Sequence, residues 1–432
     1  MSNDTSLHVE ALPARRLSRP VRITAAILFT VWTVDYIDRL VLTIVLPQIG
    51  QEFGLSNAQK GLLVSAFFLT YTLAQIPGGL VTDKLGGRRV AAAATLTWSV
   101  FTAFTGLVHS YGLLLAVRAL FGLAQAPFPA AATRILAERT KPSQRMSAQG
   151  VVASSGGFGS LIGYLTIPAL VVAIGWRHAF LGMAFVGVIC FFLLFLLPPK
   201  LTEAETDRAA PTDTASTPAP REVWRKLLLN RTLLTFTAMF FGSNLITWGV
   251  MSWVPSYLQE VRGITLANST VLLALPAITM SVGIYLGGRI TDRLNGATAK
   301  IVAPAMIVAA ASIFVVALTE SLPLFIVFEC IAVFGCGLCT VPVVSVPLKA
   351  LPTKLSGSAY SAVNFGGQLA GVVAPMAMGV LLDHFGYTAA FMFLSTGAVI
   401  AVIFAIAAPQ TPDAFIRRAR INAPARPMGV DK

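Results

Sequence analysis

Charge is what this sequence has least of. Asp, Glu, Lys and Arg make up 12% of its 432 residues, about half the usual share of a soluble domain. So few charges cannot clothe a water-facing globule of this size. Histidine is scarce too: His8, His109, His178 and His384 are scattered, without metal-ligand spacing, and no metal site is expected. The four cysteines, Cys190, Cys330, Cys336 and Cys339, all fall in apolar runs and imply no disulfide framework. Cys336 and Cys339 form a C-x-x-C, but with no second ligand pair they read as small apolar residues of a helix. No nucleotide-binding loop and no nucleophile–base spacing can be read, which excludes a self-contained ATP-driven pump and argues against an enzyme. No cleavable leader is expected, because residues 1–22 are polar and basic and the first apolar run is full length.

What is abundant is apolar: 55% of the residues are hydrophobic. A bilayer crossing takes roughly 20 residues. Twelve runs qualify, near 23–46, 61–81, 90–107, 113–135, 147–174, 179–197, 233–257, 269–290, 301–318, 324–348, 357–382 and 388–408. Only a helix satisfies its backbone within each segment, so the expected fold is an all-α integral membrane protein. The longest break, 198–232, is rich in Pro, Ala and Thr, as flexible linkers are. It divides the chain into a six-helix bundle over 23–197 and another over 233–408, with tails at 1–22 and 409–432.

Orientation follows from Lys and Arg. With the N-terminus inside, the inner segments hold 27 of the 32 and the outer loops hold three, Lys60, Arg177 and Arg262. That bias places both tails and the linker in the cytoplasm, as expected for an inner (plasma) membrane protein.

The halves repeat. Gly79 to Arg89 reads G-L-V-T-D-K-L-G-G-R-R, and Gly288-Arg289-Ile290-Thr291-Asp292-Arg293 returns its Gly-x-x-x-Asp-basic core 209 residues later. Both copies end the second span of a half, which points to two pseudo-symmetric bundles. The first copy resembles the loop signature of the major facilitator superfamily, and the resemblance implies that superfamily's fold. Gly79 is expected to permit close helix approach, and Asp83 to face a helix N-terminus, that of the eleventh span. With Arg88, Arg89, Asp292 and Arg293 they would latch the inner side while the outer side is open.

Ionisable groups at bilayer depth cost about 2.5–3.5 kcal/mol each. Five stand out: Asp35, Asp38, Arg39, Arg118 and Glu329. Asp35, Asp38 and Arg39 are spaced i, i+3 and i+4, so they share a helix face. Asp35 can pair with Arg39, leaving Asp38 for Arg118. Glu329 is expected either to gate the cavity or to reach for the outer interface.

Three stretches carry a closer resemblance: Tyr36-Ile37-Asp38-Arg39, the run from Arg118 to Pro127, and Asn364-Phe365-Gly366-Gly367-Gln368-Leu369-Ala370-Gly371 with Pro375. Together they resemble the anion:cation symporter branch, which includes galactonate, hexuronate, glucarate and phthalate carriers. The resemblance implies Asp38 as the protonatable aspartate, Arg39 and Arg118 as cavity arginines, and Tyr36, Tyr71 and Asn364 as substrate-site residues. It departs at Gln125, where sugar-acid carriers usually have glutamate, and at Asp35, where asparagine is common. Either Asp35 replaces the missing carboxylate in proton coupling or Asp38 alone titrates.

The expected function is secondary active, proton-coupled uptake of a small organic carboxylate, a sugar acid or an aromatic acid, by alternating access. Moving an anion inward against an interior-negative potential costs about 2.3 kcal/mol per charge per 100 mV. A co-transported proton cancels one charge. Arginine suits the substrate carboxylate because its planar fork matches it. Gln125, Ser154, Ser155, Asn244, Asn364 and Gln368 offer hydroxyl and amide contacts; Tyr36, Tyr71 and Trp248 offer stacking. The proton is the coupling ion, no cofactor or nucleic acid is implied, and the expected unit is a monomer in lipid. The alternative is a drug or metabolite efflux antiporter, but the fifth span has no Gly-Pro pair and two arginines suit anions. A transporter-like sensor would need more soluble chain than the linker and a 24-residue tail.

Overall fold

A computed structural model describes residues 17–200, 230–294, 297–350 and 353–419. Most of the expected linker and most of both expected tails lie outside these residues. Among the described residues the chain is almost wholly helical, with no strand. The first half runs α1 (Arg19–Ile44), α2 (Leu46–Phe53), α3 (Asn57–Leu85), α4 (Gly87–Leu107), α5 (Tyr111–Gln125), α6 (Phe128–Arg139), α7 (Pro142–Ala153) and α8 (Ser155–Leu193). The second runs α9 (Arg231–Glu260), α10 (Leu266–Arg293), α11 (Thr298–Leu318), α12 (Leu322–Ala350), α13 (Thr353–Ala407) and α14 (Pro412–Ala419).

Nine helical stretches among the described residues are long and apolar enough to cross a membrane, against twelve expected. Two of them are double. α8 breaks at Gly175 (φ 79°) and α13 at Gly386 (φ 75°), left-handed conformations that glycine adopts without steric cost. The remaining difference is α1. It has 26 residues, but Asp35, Asp38 and Arg39 lower its apolar average. The path of the chain is therefore the expected one.

Burial is inverted relative to a soluble protein. Phe185, Phe385 and Ile406 are 67%, 70% and 69% exposed, while Asp35, Arg118 and Glu329 are at most 2% exposed. An apolar exterior around a charged interior needs lipid as its solvent. Helix ends are capped where they meet water. Ser56 and Gln59 form a reciprocal capping box on α3, and Asn230 Oδ1 accepts from the backbone N–H of Thr232 and Leu233 on α9.

The crossings alternate between two ends. The tail end carries Leu17, Lys200, Asn230 and Ala419. The loop end carries residues 45–56, 108–110, Gly175, 261–265, 319–321 and Gly386. The halves bond to each other at the loop end. Lys60 Nζ pairs with Glu260 at 2.7 Å, and Gln48 Nε2 donates to Gln259 Oε1 at 2.8 Å. Asp383 accepts from the backbone N–H of Asn57 (2.9 Å) and Ala58 (2.8 Å). Ser65 Oγ donates to Val372 O at 2.6 Å. A Cβ on Gly61 would strike the Pro375 carbonyl, and one on Gly379 the Asn57 carbonyl, so α3 and α13 pack there without side chains between them. The loop end is thus closed.

Of the residues expected in the tail-end latch, Asp83 and Arg88 make contacts within their own half. Asp83 lies 3.6 Å from Arg134 of its own half, with its side chain 78% exposed, and Arg88 donates to the Phe195 carbonyl at 3.0 Å. A Cβ on Gly79 would meet nothing within 4 Å; the tight contact belongs to its neighbour Gly78, whose Cβ would meet Pro127 at 2.8 Å. The same shift occurs in the second copy, where Gly287 rather than Gly288 lies against Leu338. One residue is about 100° of helix, enough to move a glycine from one neighbour to open space.

Candidate functional site

A cavity of about 280 Å3 lies between the halves. The first half contributes Tyr36, Gly156, Gly157, Ser160 and Tyr164; the second contributes Asn244, Trp248, Glu329, Tyr360, Asn364 and Gln368. Five expected substrate contacts therefore reach it: Tyr36, Asn244, Trp248, Asn364 and Gln368. Asn244 Nδ2 donates to the Phe240 carbonyl at 2.8 Å. Trp248 Nε1 donates to the Gly367 carbonyl at 3.1 Å, which fixes the indole. Gln368 Oε1 is buried with no hydrogen-bond partner among the described residues, so its acceptor is open to a ligand. Ser154 and Ser155 do not reach the wall; the Ser154 hydroxyl bonds back to Val151.

The arginines sit one side-chain layer behind. A space of about 20 Å3 is bounded by Tyr36, Arg39, Phe67, Phe68, Arg118 and Trp248 among others. It shares Tyr36 and Trp248 with the large cavity. Phe68 and Trp248, one from each half, meet there with ring centroids 4.5 Å apart.

Helix spacing builds the charge cluster as expected on one side. Arg39 Nη2 meets Asp35 Oδ2 at 2.7 Å, an i, i+4 pair within α1. Arg39 Nε also donates to Gln125 Oε1 at 3.0 Å, so the glutamine in place of glutamate orients the guanidinium. Tyr71, 3% exposed, lies under that guanidinium at 4.6 Å; it positions Arg39 instead of lining the cavity. The expected pair between Asp38 and Arg118 is absent: Asp38 makes no ion pair within 4.0 Å among the described residues, and neither carboxylate oxygen is hydrogen-bonded. The reason is aromatic. Arg118 is drawn over Phe121 at 4.6 Å and Phe67 at 5.5 Å, contacts that stabilise a desolvated cation by about 2 kcal/mol.

Glu329 does not reach for the interface. It is 2% exposed, lines the large cavity, and keeps Oε2 without a hydrogen-bond partner among the described residues. Sequence reasoning missed Tyr164 and Tyr360 in the wall. Hydroxyl-bearing rings inside otherwise apolar spans were the available signal. It also missed the loop-end set of Lys60, Glu260 and Asp383; Lys60 was counted only as a topology signal.

With this geometry in hand, comparisons with known proteins become specific. The sequence profile described as Major Facilitator Superfamily matches residues 27–375. A probable sulfoacetate transporter of Cupriavidus necator is 30% identical over 391 residues, covering 85% of this chain and 89% of that one. A hexuronate transporter of Bacillus subtilis is 27% identical, covering 88% and 92%. A probable galactarate/D-glucarate transporter of Escherichia coli is 29% identical, covering 87% and 92%. Among solved structures, a bacterial homolog of the human lysosomal transporter Spinster superposes with a TM-score of 0.74 at 20% identity, covering 94% of this chain and 98% of that one; that likeness is one of fold.

Proposed function

Because the chain belongs to the Major Facilitator Superfamily, and is thus a multi-pass membrane transporter and no enzyme, we propose that it is a proton-coupled symporter taking up a small organic acid. The observation that carries this reading is the buried pair of arginines behind the cavity wall, next to an aspartate whose carboxylate has no hydrogen-bond partner among the described residues. An acid group entering between Tyr36 and Trp248 meets Arg39 or Arg118, whose forks suit a carboxylate or sulfonate. The relatives are named for hexuronate, galactarate, glucarate and sulfoacetate, all acids of this size.

Asp38 carries the proton. As an unpaired charge it would be costly to enclose during the transport step, so the loaded carrier closes with Asp38 neutral. The cycle is then short. With Asp38 protonated, the substrate acid occupies an arginine and the halves rock about their shared axis. Release at the tail end is followed by loss of the Asp38 proton. Asp35 is a weaker candidate for proton transfer, because Arg39 holds it at 2.7 Å.

The carrier works as a monomer in the inner membrane, tail end in the cytoplasm, with 198–232 linking its two bundles. The closed loop end fits an inward-facing conformation. The test is uptake by reconstituted vesicles, using radiolabelled carboxylates and sulfonates with an imposed pH gradient. Accumulation should follow an acid exterior; uptake indifferent to that gradient sinks the symport reading.

A further inference from the structure

The two halves are related helix by helix at a nearly constant offset. α3 begins at Asn57 and α10 at Leu266; α4 at Gly87 and α11 at Thr298; α5 at Tyr111 and α12 at Leu322. The last pair matters most. Arg118 stands seven residues after Tyr111, and Glu329 stands seven after Leu322. They occupy equivalent positions of the repeat, at the same depth from the loop end, with opposite charge. Both are at most 2% exposed.

Among the described residues Glu329 has no cation of its own. No lysine, arginine or histidine among the described residues acts on it. The titratable groups that face it are Tyr164 from α8 and the neighbouring Cys330, neither of which supplies positive charge at neutral pH. One carboxylate oxygen is buried without a partner and the side chain borders the cavity. A buried carboxylate is costly to keep charged unless a positive charge pairs with it, and here the cavity is where such a charge can come from.

We propose that the substrate is bipolar: its acid group lies toward Arg39 and Arg118, and a protonated amine at its other end is bound by Glu329. Two further observations separate an amine from a hydroxyl. Asn244, Asn364 and Gln368 already offer amide oxygens in the same wall, and these accept from hydroxyls with no charge to bury. Tyr36, Tyr164, Trp248 and Tyr360 bring aromatic faces to the same cavity, surroundings that favour an ammonium over a neutral group. A neutral substrate with separated charges also crosses without net work against the membrane potential. The inference rests on the acid-transport reading and narrows it.

The test is calorimetric titration of the purified full-length protein with three probes of one length: 5-aminopentanoate, 5-hydroxypentanoate and glutarate. The amino acid should bind about 10-fold or more tighter than the hydroxy acid, the scale of a charge-assisted contact. Glu329→Gln should reduce that preference to within about 2-fold. Glu329→Asp, which keeps the charge, should retain the preference and guards against mere misfolding. Equal or tighter binding of the hydroxy acid or glutarate to the wild type overturns the inference while leaving acid transport intact. A preference undiminished in Glu329→Gln also overturns it. Failure of all three probes, with aliphatic amines binding instead, overturns the acid reading itself.

Discussion

Arg39 is held by an acid, an amide and a ring, from Asp35, Gln125 and Tyr71, and this immobility sets what single changes do. Asp35→Asn removes the charge partner of a buried arginine, so stability should fall by about 3 kcal/mol, read as a lowered melting temperature in detergent. Asp38→Asn breaks no hydrogen bond. Its fold should therefore survive, gradient-driven accumulation should vanish, and substrate counterflow should persist. Equal accumulation by wild type and Asp38→Asn would move the proton site elsewhere. Arg118→Lys keeps the charge but loses the fork and its contact with Phe121; uptake efficiency should drop about 10-fold or more. The Asp35–Arg39 pair was legible because i, i+4 spacing is local. The place of Arg118 was not, because aromatic faces from α3 and its own helix decide it.

Among elements, the junction of α3 with α13 is the most demanding. Asp383 of one half caps the first turn of α3 in the other. That is the arrangement expected of Asp83 and the eleventh span, realised at the opposite end. Gly61→Val would force the α13 backbone away at Pro375, so spin-label distances across the loop end should lengthen in the variant. A second contact is pH-sensitive. Glu52 of α2 accepts from Trp176 Nε1 at 3.0 Å and pairs with Arg177 at 2.6 Å, at the start of the segment after Gly175. Burial tends to raise its pKa, but the hydrogen bonds from Arg177 and Trp176 outweigh it and hold the carboxyl below its ordinary value. A lowered folded pKa stabilises above the usual carboxylate value of about 4.3 and fades as pH falls below it. Wild type should lose thermal stability on acidification more steeply than Glu52→Gln. The sequence marked helices but not their rotation: α12 is apolar all round, with no stripe to say which face is inward. Hence Glu329 could not be placed on the cavity, nor Gly78 told from Gly79.

At the scale of the molecule, the repeat and the apolar runs are sums over many residues, and they survived where single contacts did not. Twelve expected crossings and nine apolar stretches describe one chain path, because two glycine corners each join a pair of crossings and one crossing hides its charges inside. Orientation is checkable. In intact cells an impermeant thiol reagent should label Ser321→Cys at the loop end and spare Lys200→Cys at the tail end; the reverse pattern would turn the molecule over. The cavity needs both halves, since Tyr36 and Glu329 come from different bundles, so neither half should bind substrate when expressed without the other.

The pairing of Arg39 with Asp35 bears on how the empty carrier returns. A site built only of cations would strand a bare positive charge on the way back, and such a protein could do little but swap one solute for another. Here α1 supplies its own anion, Asp35, beside Arg39. On the proposed cycle, that pairing would let the unladen carrier return with Arg39 still neutralised, which would suit net accumulation over exchange.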